Sequence, residues 1–150
     1  MNKDVMGVQE VSPGYAFIAE NPAVPVGYKQ SEVGVIPEDW SILKLSSIAD
    51  VRDGTHESPK YVSNGVPFVT SKNILSGRID FSDVSYITHK DALEIDRRSK
   101  VDRNDILISM IGTVGNAALV NLEPNFSIKN VGLIKPDTNV CSPSYITHYF

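Results

Sequence analysis

The sequence predicts an α+β fold: several short, mostly antiparallel strands with a few helices. Three observations carry that reading. Apolar residues come in short runs separated by turn chemistry, not in long amphipathic stretches. Only two segments, near residues 88–95 and 142–150, show start signals for a helix of more than one turn. The chain has 150 residues, of which 41% are hydrophobic and 21% charged, so it has one domain's length and can bury about two thirds of its unfolded surface.

Taken in order, residues 1–27 read as an N-terminal extension, because Pro13, Gly14, Asn21, Pro22, Pro25 and Gly27 interrupt its apolar groups. Lys29 to Asp39 is polar and turn-rich, punctuated by Gly34 and Pro37, so folded structure is expected from near Trp40. Trp40–Leu45 has the partial alternation of a strand, and Leu45–Ala49 suits a short helical turn capped by Ser46 or Ser47. A polar loop over Gly54–Asn64 precedes a strand at Val66–Thr70, where Pro67 demands an edge or a first position. Arg78–Phe81 is another short strand candidate. Thr88 is an N-cap for a helix through Ile95, with Asp91 as a shortened capping-box partner. Asp105–Ile111 is the most apolar run and reads as a buried strand. Gly112 to Gly115 then turns the chain, and Asn116–Asn121 and Val131–Lys135 are further strands. Ser142, followed by Pro143 at a first helical position, begins a C-terminal helix.

Charge and composition exclude several function classes. Cys141 is the only cysteine, which rules out an internal disulfide and any multi-thiolate zinc site. His56, His89 and His148 have no metal-ligand spacing. There is no phosphate-binding loop motif of the Walker type and no nucleophile elbow. The Asp50/Asp53 and Asp80/Asp83 pairs lie in turn contexts that favour aspartate for backbone hydrogen bonding. No apolar run approaches the roughly 20 residues that span a bilayer, and no secretory signal is visible, so the cytoplasm is the expected compartment and no membrane partner is expected. Net charge is −4 and the sequence pI about 5.3. That acidity is concentrated in residues 1–39, with two basic and six acidic residues; residues 40–150 hold 12 of each sign.

Groove readout on DNA would need Arg, Lys, Asn, Ser or Thr on loops held by a scaffold. One candidate segment is Arg52 to Lys60, with Gly54 admitting close backbone approach and Thr55 and His56 carrying polar tips. A second is Thr70, Ser71, Lys72 and Asn73, with Arg78 just beyond. The densest basic cluster, Arg97, Arg98, Lys100 and Arg103, is equally explained by a salt-bridged helix end. Ser127 to Asn130, with Lys129, is a fourth polar set. Taken by themselves, the first two loops are better explained as plain polar turns.

The same segments resemble one target-recognition domain of the type I restriction-modification specificity subunits. Lys29-Gln-Ser-Glu-Val-Gly-Val-Ile-Pro-Glu-Asp-Trp40 with Leu43-Lys-Leu45 is similar to that family's lead-in. Asp53-Gly-Thr-His56 with Pro59-Lys-Tyr61, then Gly65-Val-Pro-Phe-Val-Thr-Ser-Lys-Asn-Ile74 and Gly77-x-Ile-Asp80, resemble its next blocks. Asn104-Asp-Ile-Leu107 with Ile111-Gly-Thr-Val-Gly115 resembles a late strand and turn. The resemblance covers residues 28–150, which it marks as a target-recognition domain ending in the start of a spacer helix.

What the resemblance implies is non-catalytic reading of one half of a split DNA site, on behalf of methyltransferase and restriction subunits. It implies no cofactor on this chain; S-adenosylmethionine, ATP and Mg²⁺ would belong to those partners. The expected DNA contacts are Arg52, Gly54, Thr55, His56, Lys60, Thr70, Ser71, Lys72, Asn73, Arg78, Lys129 and Asn130. A truncated module that modulates restriction-modification subunits without reading DNA is the alternative, and a small enzyme is a third reading.

Overall fold

The computed structural model describes residues 24–150; the extension expected over residues 1–27 lies outside them apart from its last residues. The chain divides into two compact units between Ser41 and Ile42.

In the first unit the turn-rich lead-in is a hairpin. Strand β1 (Tyr28–Ser31) pairs antiparallel with β2 (Gly34–Pro37), in a register running from Tyr28↔Pro37 to Ser31↔Gly34. Ser31 closes the loop: its Oγ donates to Gly34 O at 2.6 Å and accepts from Val33 N at 3.3 Å. Gly34 sits at φ +112°, a conformation that side chains resist. Composition alone hid this hairpin, because none of its strand residues is buried and no buried face imposes alternation.

In the second unit the strand expected at Trp40–Leu45 does not form. The segment leads into a 3₁₀ turn at Leu45–Ser47, as the helical-turn expectation has it, but the N-cap is Lys44. The first strand is β3 (Ala49–Asp53), followed by β4 (Val66–Thr70), β5 (Ile74–Leu75), β6 (Arg78–Ile79) and β7 (Ser85–Ile87). Helix α1 (His89–Ser99) comes next, then β8 (Ile106–Ser109), β9 (Ala117–Leu119), β10 (Ser127–Lys129), β11 (Val131–Pro136) and α2 (Pro143–His148). The strands form an antiparallel sheet β3-β11-β8-β9, a sheet β10-β4-β7 and a small ribbon β5-β6. All pairings are antiparallel except β10 with β4, which is parallel.

The layers follow from which faces are apolar. Strand β8 reads as a continuous hydrophobic run because both its faces are covered. On one face Leu107, paired across the sheet with Leu133, packs with Val69, Ala118, Ile128 and Val131 in the main core between the two large sheets. On the other, Ile106 and Ile134 pack with Ala49 and with Ile146 of α2. In β4 the alternation separates Val69, in the main core, from Phe68, which packs with Val66, Ile87 and Ala92 under α1. The order is therefore α2, four-stranded sheet, core, three-stranded sheet, α1.

Pro67 is placed by the same sheet. The sequence puts it on an edge or at a strand start, yet β4 is the central strand. Pro67 is tolerated because β10 pairs only with Phe68, Val69 and Thr70, so Pro67 lies outside that ladder. Helix α1 starts as its sequence indicates. Thr88 Oγ1 accepts from Asp91 N at 3.1 Å and donates to the Asp91 carboxylate at 2.7 Å. At α2, Ser142 is the N-cap residue but makes no side-chain capping bond, and Pro143 opens the helix.

Two outcomes test this account. Thr88→Ala should lower the unfolding free energy by about 1 kcal/mol, the usual weight of an N-cap. Leu107→Ala should cost about 2–5 kcal/mol as a core truncation. Urea titration followed by circular dichroism measures both; equal losses would contradict the assigned burial.

Candidate nucleic-acid interface

Four loops that are distant in sequence meet at the ends of β3, β4, β8 and β10. The parallel pair β4–β10 starts the junction, and the chain that leaves β3 then runs beside β10. Gly54 N donates to Val131 O at 2.8 Å, Thr55 bridges Lys129, and Asn130 N donates to Thr55 O at 3.1 Å. Asn130 takes a left-handed backbone, φ +52°, and this lets the chain pass directly from β10 into β11.

His56 sits at the centre of this junction. Its Nδ1 is 2.7 Å from Asn130 Oδ1 and its Nε2 is 2.9 Å from Asp53 Oδ2. Both neighbours are acceptors, so the arrangement suits the doubly protonated imidazolium. The bond to Asn130, with that to Asp53, holds the His56 pKa above its ordinary 6.5. Asp53 is held below the ordinary carboxylate range, by its bond to His56 first and by the Arg98 guanidinium second. Arg98 reaches Asp53 from the end of α1, and Arg52 Nη1 donates to Arg98 O at 3.1 Å. Arg52 is also tied to Asp50, with Nε 2.8 Å from Oδ2. Lys129 Nζ donates to Ser58 Oγ, drawing the tip of the first loop onto β10.

The second loop contributes in a different way from the one its composition suggests. Ser71 is buried, and its hydroxyl is fully used. It donates to Asn130 O and accepts from Met110 N at 3.1 Å and Ile111 N at 3.3 Å. Asn73 is 3% exposed. Its Nδ2 donates to Asp80 O and Asp83 O at 3.1 and 3.0 Å, and its Oδ1 accepts from Thr70 N and Thr70 Oγ1, each at 3.0 Å. Ser71 and Asn73, expected among the DNA contacts, instead fasten the loop, since a buried amide with all four bonds made has nothing left to offer a base.

Gly54 is corrected likewise. A Cβ there would sit 2.9 Å from Ile128 O, so the glycine admits the neighbouring strand, not a ligand. Thr55 keeps a partly exposed hydroxyl that accepts from Glu57 N at 3.1 Å.

Among the remaining candidates, Lys72 is exposed and paired with Asp83 at 2.7 Å. Lys60 and Arg78 are exposed. Among the described residues no hydrogen bond ties either of their side chains to the junction, so the structure does not draw them into it. The helix-end cluster is salt-bridged: Arg97 to Glu94, Lys100 to Asp102 and Arg103 to Glu123.

Sequence reasoning left out Asp53 and Ser58 as partners within the site, set Arg98 aside with the helix end, and missed that the β8–β9 loop touches Ser71. Only the spacing of Asp53 and His56 hinted at any of this. Among the described residues no cluster of His, Cys, Asp or Glu could hold a metal ion, and no helix is long and apolar enough to cross a membrane.

The α+β scaffold gathers polar loops from distant parts of the chain into one hydrogen-bonded junction. The chain belongs to the family described as the type I restriction modification DNA specificity domain, whose model matches residues 37–150. It is 27% identical over 117 residues to the type I restriction enzyme EcoBI specificity subunit of Escherichia coli, covering 75% of this chain and 24% of that one. It is 34% identical over 61 residues to the MjaVIII specificity subunit of Methanocaldococcus jannaschii, covering 40% of this chain and 14% of the relative. The crystal structure of the HsdS subunit from Thermoanaerobacter tengcongensis shares the fold, with a TM-score of 0.57 and 16% identity over 82% of this chain and 29% of that one. The chain thus spans less than a third of each of these proteins, and the α+β expectation holds.

Two measurements bear on the geometry. Asn73→Ala should destabilise the domain by about 1–3 kcal/mol or more, because it strands buried backbone groups, while exposed Lys72→Ala should stay within about 0.5 kcal/mol of wild type. In an NMR titration His56 should lose its proton above pH 6.5, and Asn130→Ala should bring that midpoint down. Since folding raises this pKa, the stabilisation it gives is complete below pH 6.5 and fades as pH rises through the folded value.

Proposed function

We propose that this chain reads one half of a bipartite DNA target for a type I restriction-modification complex and directs methyltransferase and endonuclease subunits to it. The observation that carries the reading is the junction at Asn130, where loops 54–58, 70–73 and 129–130 are locked into one surface. Rigid placement of polar tips is what base readout requires. Membership of the specificity-domain family supports it. The comparisons offer nothing for a module that modulates such subunits without reading DNA.

Within this reading the chain is non-catalytic, and S-adenosylmethionine, ATP and Mg²⁺ are bound by the partner subunits. His56, Lys129, Thr55 and Asn130 face the bases or the adjoining backbone, while Lys72 and Arg78 serve phosphates. Lys72 is held by one exposed ion pair, worth at most about 1 kcal/mol, so exchanging Asp83 for a phosphate costs little.

Selection from a random-sequence duplex pool, with methyltransferase subunits present, should enrich a half-site of a few base pairs. Affinity should fall as salt rises. Lys72→Ala and Arg78→Ala should each weaken binding across all sequences and flatten the salt dependence by about one phosphate contact. Lys129→Ala should weaken binding to the enriched site more than to random duplex. Absence of an enriched half-site would overturn the proposal; an unchanged salt slope in both phosphate variants would overturn the assignment of those two residues.

A further inference from the structure

We propose that the β8–β9 loop, Met110 to Asn116, is an apolar reading element that sets Ile111 and Val114 against the 5-methyl groups of thymines in the major groove of the same half-site. This rests on the DNA-recognition reading above. The starting observation is exposure: Met110, Ile111 and Val114 are 38%, 59% and 70% exposed. They lie on a loop of sequence Met-Ile-Gly-Thr-Val-Gly, where Gly112 and Gly115 take positive φ of 80° and 94°.

The loop is nevertheless firmly held. Gly115 N donates to Ser109 O at 3.0 Å, Ser109 N to Asn116 O at 2.9 Å, and Asn116 N to Ser109 Oγ at 3.0 Å. Ser109 Oγ donates to Thr113 O from a residue that is 1% exposed. A loop tied down this closely holds Ile111 and Val114 more than half exposed to water. Three apolar side chains gathered on one fixed loop offer a contact surface.

Its place in the molecule says what covers it. The hydroxyl that anchors Met110 N and Ile111 N is that of Ser71, and it also donates to Asn130 O. A single oxygen therefore joins the apolar tip to the polar junction proposed to face DNA, and a duplex seated on His56 and Asn130 meets Ile111 beside them. The major groove is about 12 Å wide and admits a two-stranded ribbon, and the thymine methyl is the apolar group it displays. Strands β8 and β9 are themselves covered within the four-stranded sheet, so the loop beyond the pair Ile108↔Ala117, and not the strands, is the part offered to the groove. Polar tips on the neighbouring loops then read hydrogen-bonding edges while this tip reads methyls.

The test removes the methyl from the DNA and the side chain from the protein. On the selected half-site, each thymine is replaced in turn by deoxyuridine, and binding is measured for wild type, Ile111→Ala and Val114→Ala. Wild type should lose about fourfold in affinity at one or more positions, the weight of one buried methyl group. The corresponding variant should bind thymine and deoxyuridine duplexes equally. Urea titration should show the variants as stable as wild type, since both side chains are exposed.

Three results would overturn the proposal while leaving DNA recognition standing: a half-site without thymine, no loss on deoxyuridine substitution, or variants that keep wild-type discrimination. Loss of affinity in the variants equal for both duplexes would show a contact other than the methyl, and unchanged DNA affinity would assign the tip to a protein surface; either overturns it. Failure to select any half-site would bring down both readings together.

Discussion

The parallel pairing of β4 with β10 is the constraint on which the rest of the second unit depends. Parallel neighbours cannot be joined by a tight turn and need a long crossover. Here the crossover holds β5 to β9 and α1, so forming the β4–β10 ladder closes the chain around its own core. The same ladder creates the site. It places Ser71, just beyond β4, against Asn130, just beyond β10, 59 positions away. Gly54 is needed because β3 must pass within contact of Ile128 O to enter the same corner. Ser127, buried in β10, donates to the Asp96 carboxylate at 2.9 Å and fixes α1 over the three-stranded sheet. Burial raises the pKa of that carboxyl, against the lowering effect of the Ser127 bond.

Charge is handled differently in the core and at the surface. Lys135 is largely buried and meets Asp102 at 2.9 Å, together with Asp105 and the carbonyl of Lys100. Burial pushes the Asp105 pKa up in spite of this ion pair, the pattern expected where desolvation outweighs attraction. Those charges are structural. At the site the basic groups lean on nearby acids: Arg52 on Asp50, Arg98 and His56 on Asp53, Lys72 on Asp83. Exposed pairs of this kind contribute little to stability. An acidic chain can therefore present cations to a polyanion by releasing intramolecular partners, and the proposed binding surface need not be basic overall.

Much of the fold is legible one segment at a time. The Thr88 cap, the Gly112–Gly115 turn and Pro143 as a helix start rest on local chemistry and appear in the structure; the buried strand expected at Asp105–Ile111 appears as Ile106–Ser109, with Met110 and Ile111 exposed beyond it. The hairpin over Tyr28–Pro37, the strands β3, β7 and β10, and the missing strand at Trp40–Leu45 do not follow from local chemistry. Strand β10 holds only Ser127, Ile128 and Lys129, too few residues to show a period, and it is a strand because β4 supplies a ladder. Trp40–Leu45 alternates in part, but among the described residues it has no strand to pair with.

The candidate site divides in the same way. The sequence by itself determined which residue types were available, polar and basic tips on loops that follow strands, and through the order of its motifs it pointed to a family. It could not tell a hydroxyl that will be spent from one that stays free. Ser71, Lys72 and Asn73 are neighbours of similar polarity, yet packing turns Ser71 and Asn73 inward to satisfy stranded backbone groups and leaves Lys72 outside. Nor could it show that Ile111 lies beside Asn130. The physical reason is range: caps, turns and strand propensity act over a few residues, whereas burial and hydrogen-bond satisfaction at this corner depend on groups tens of positions apart that meet only when the sheets close.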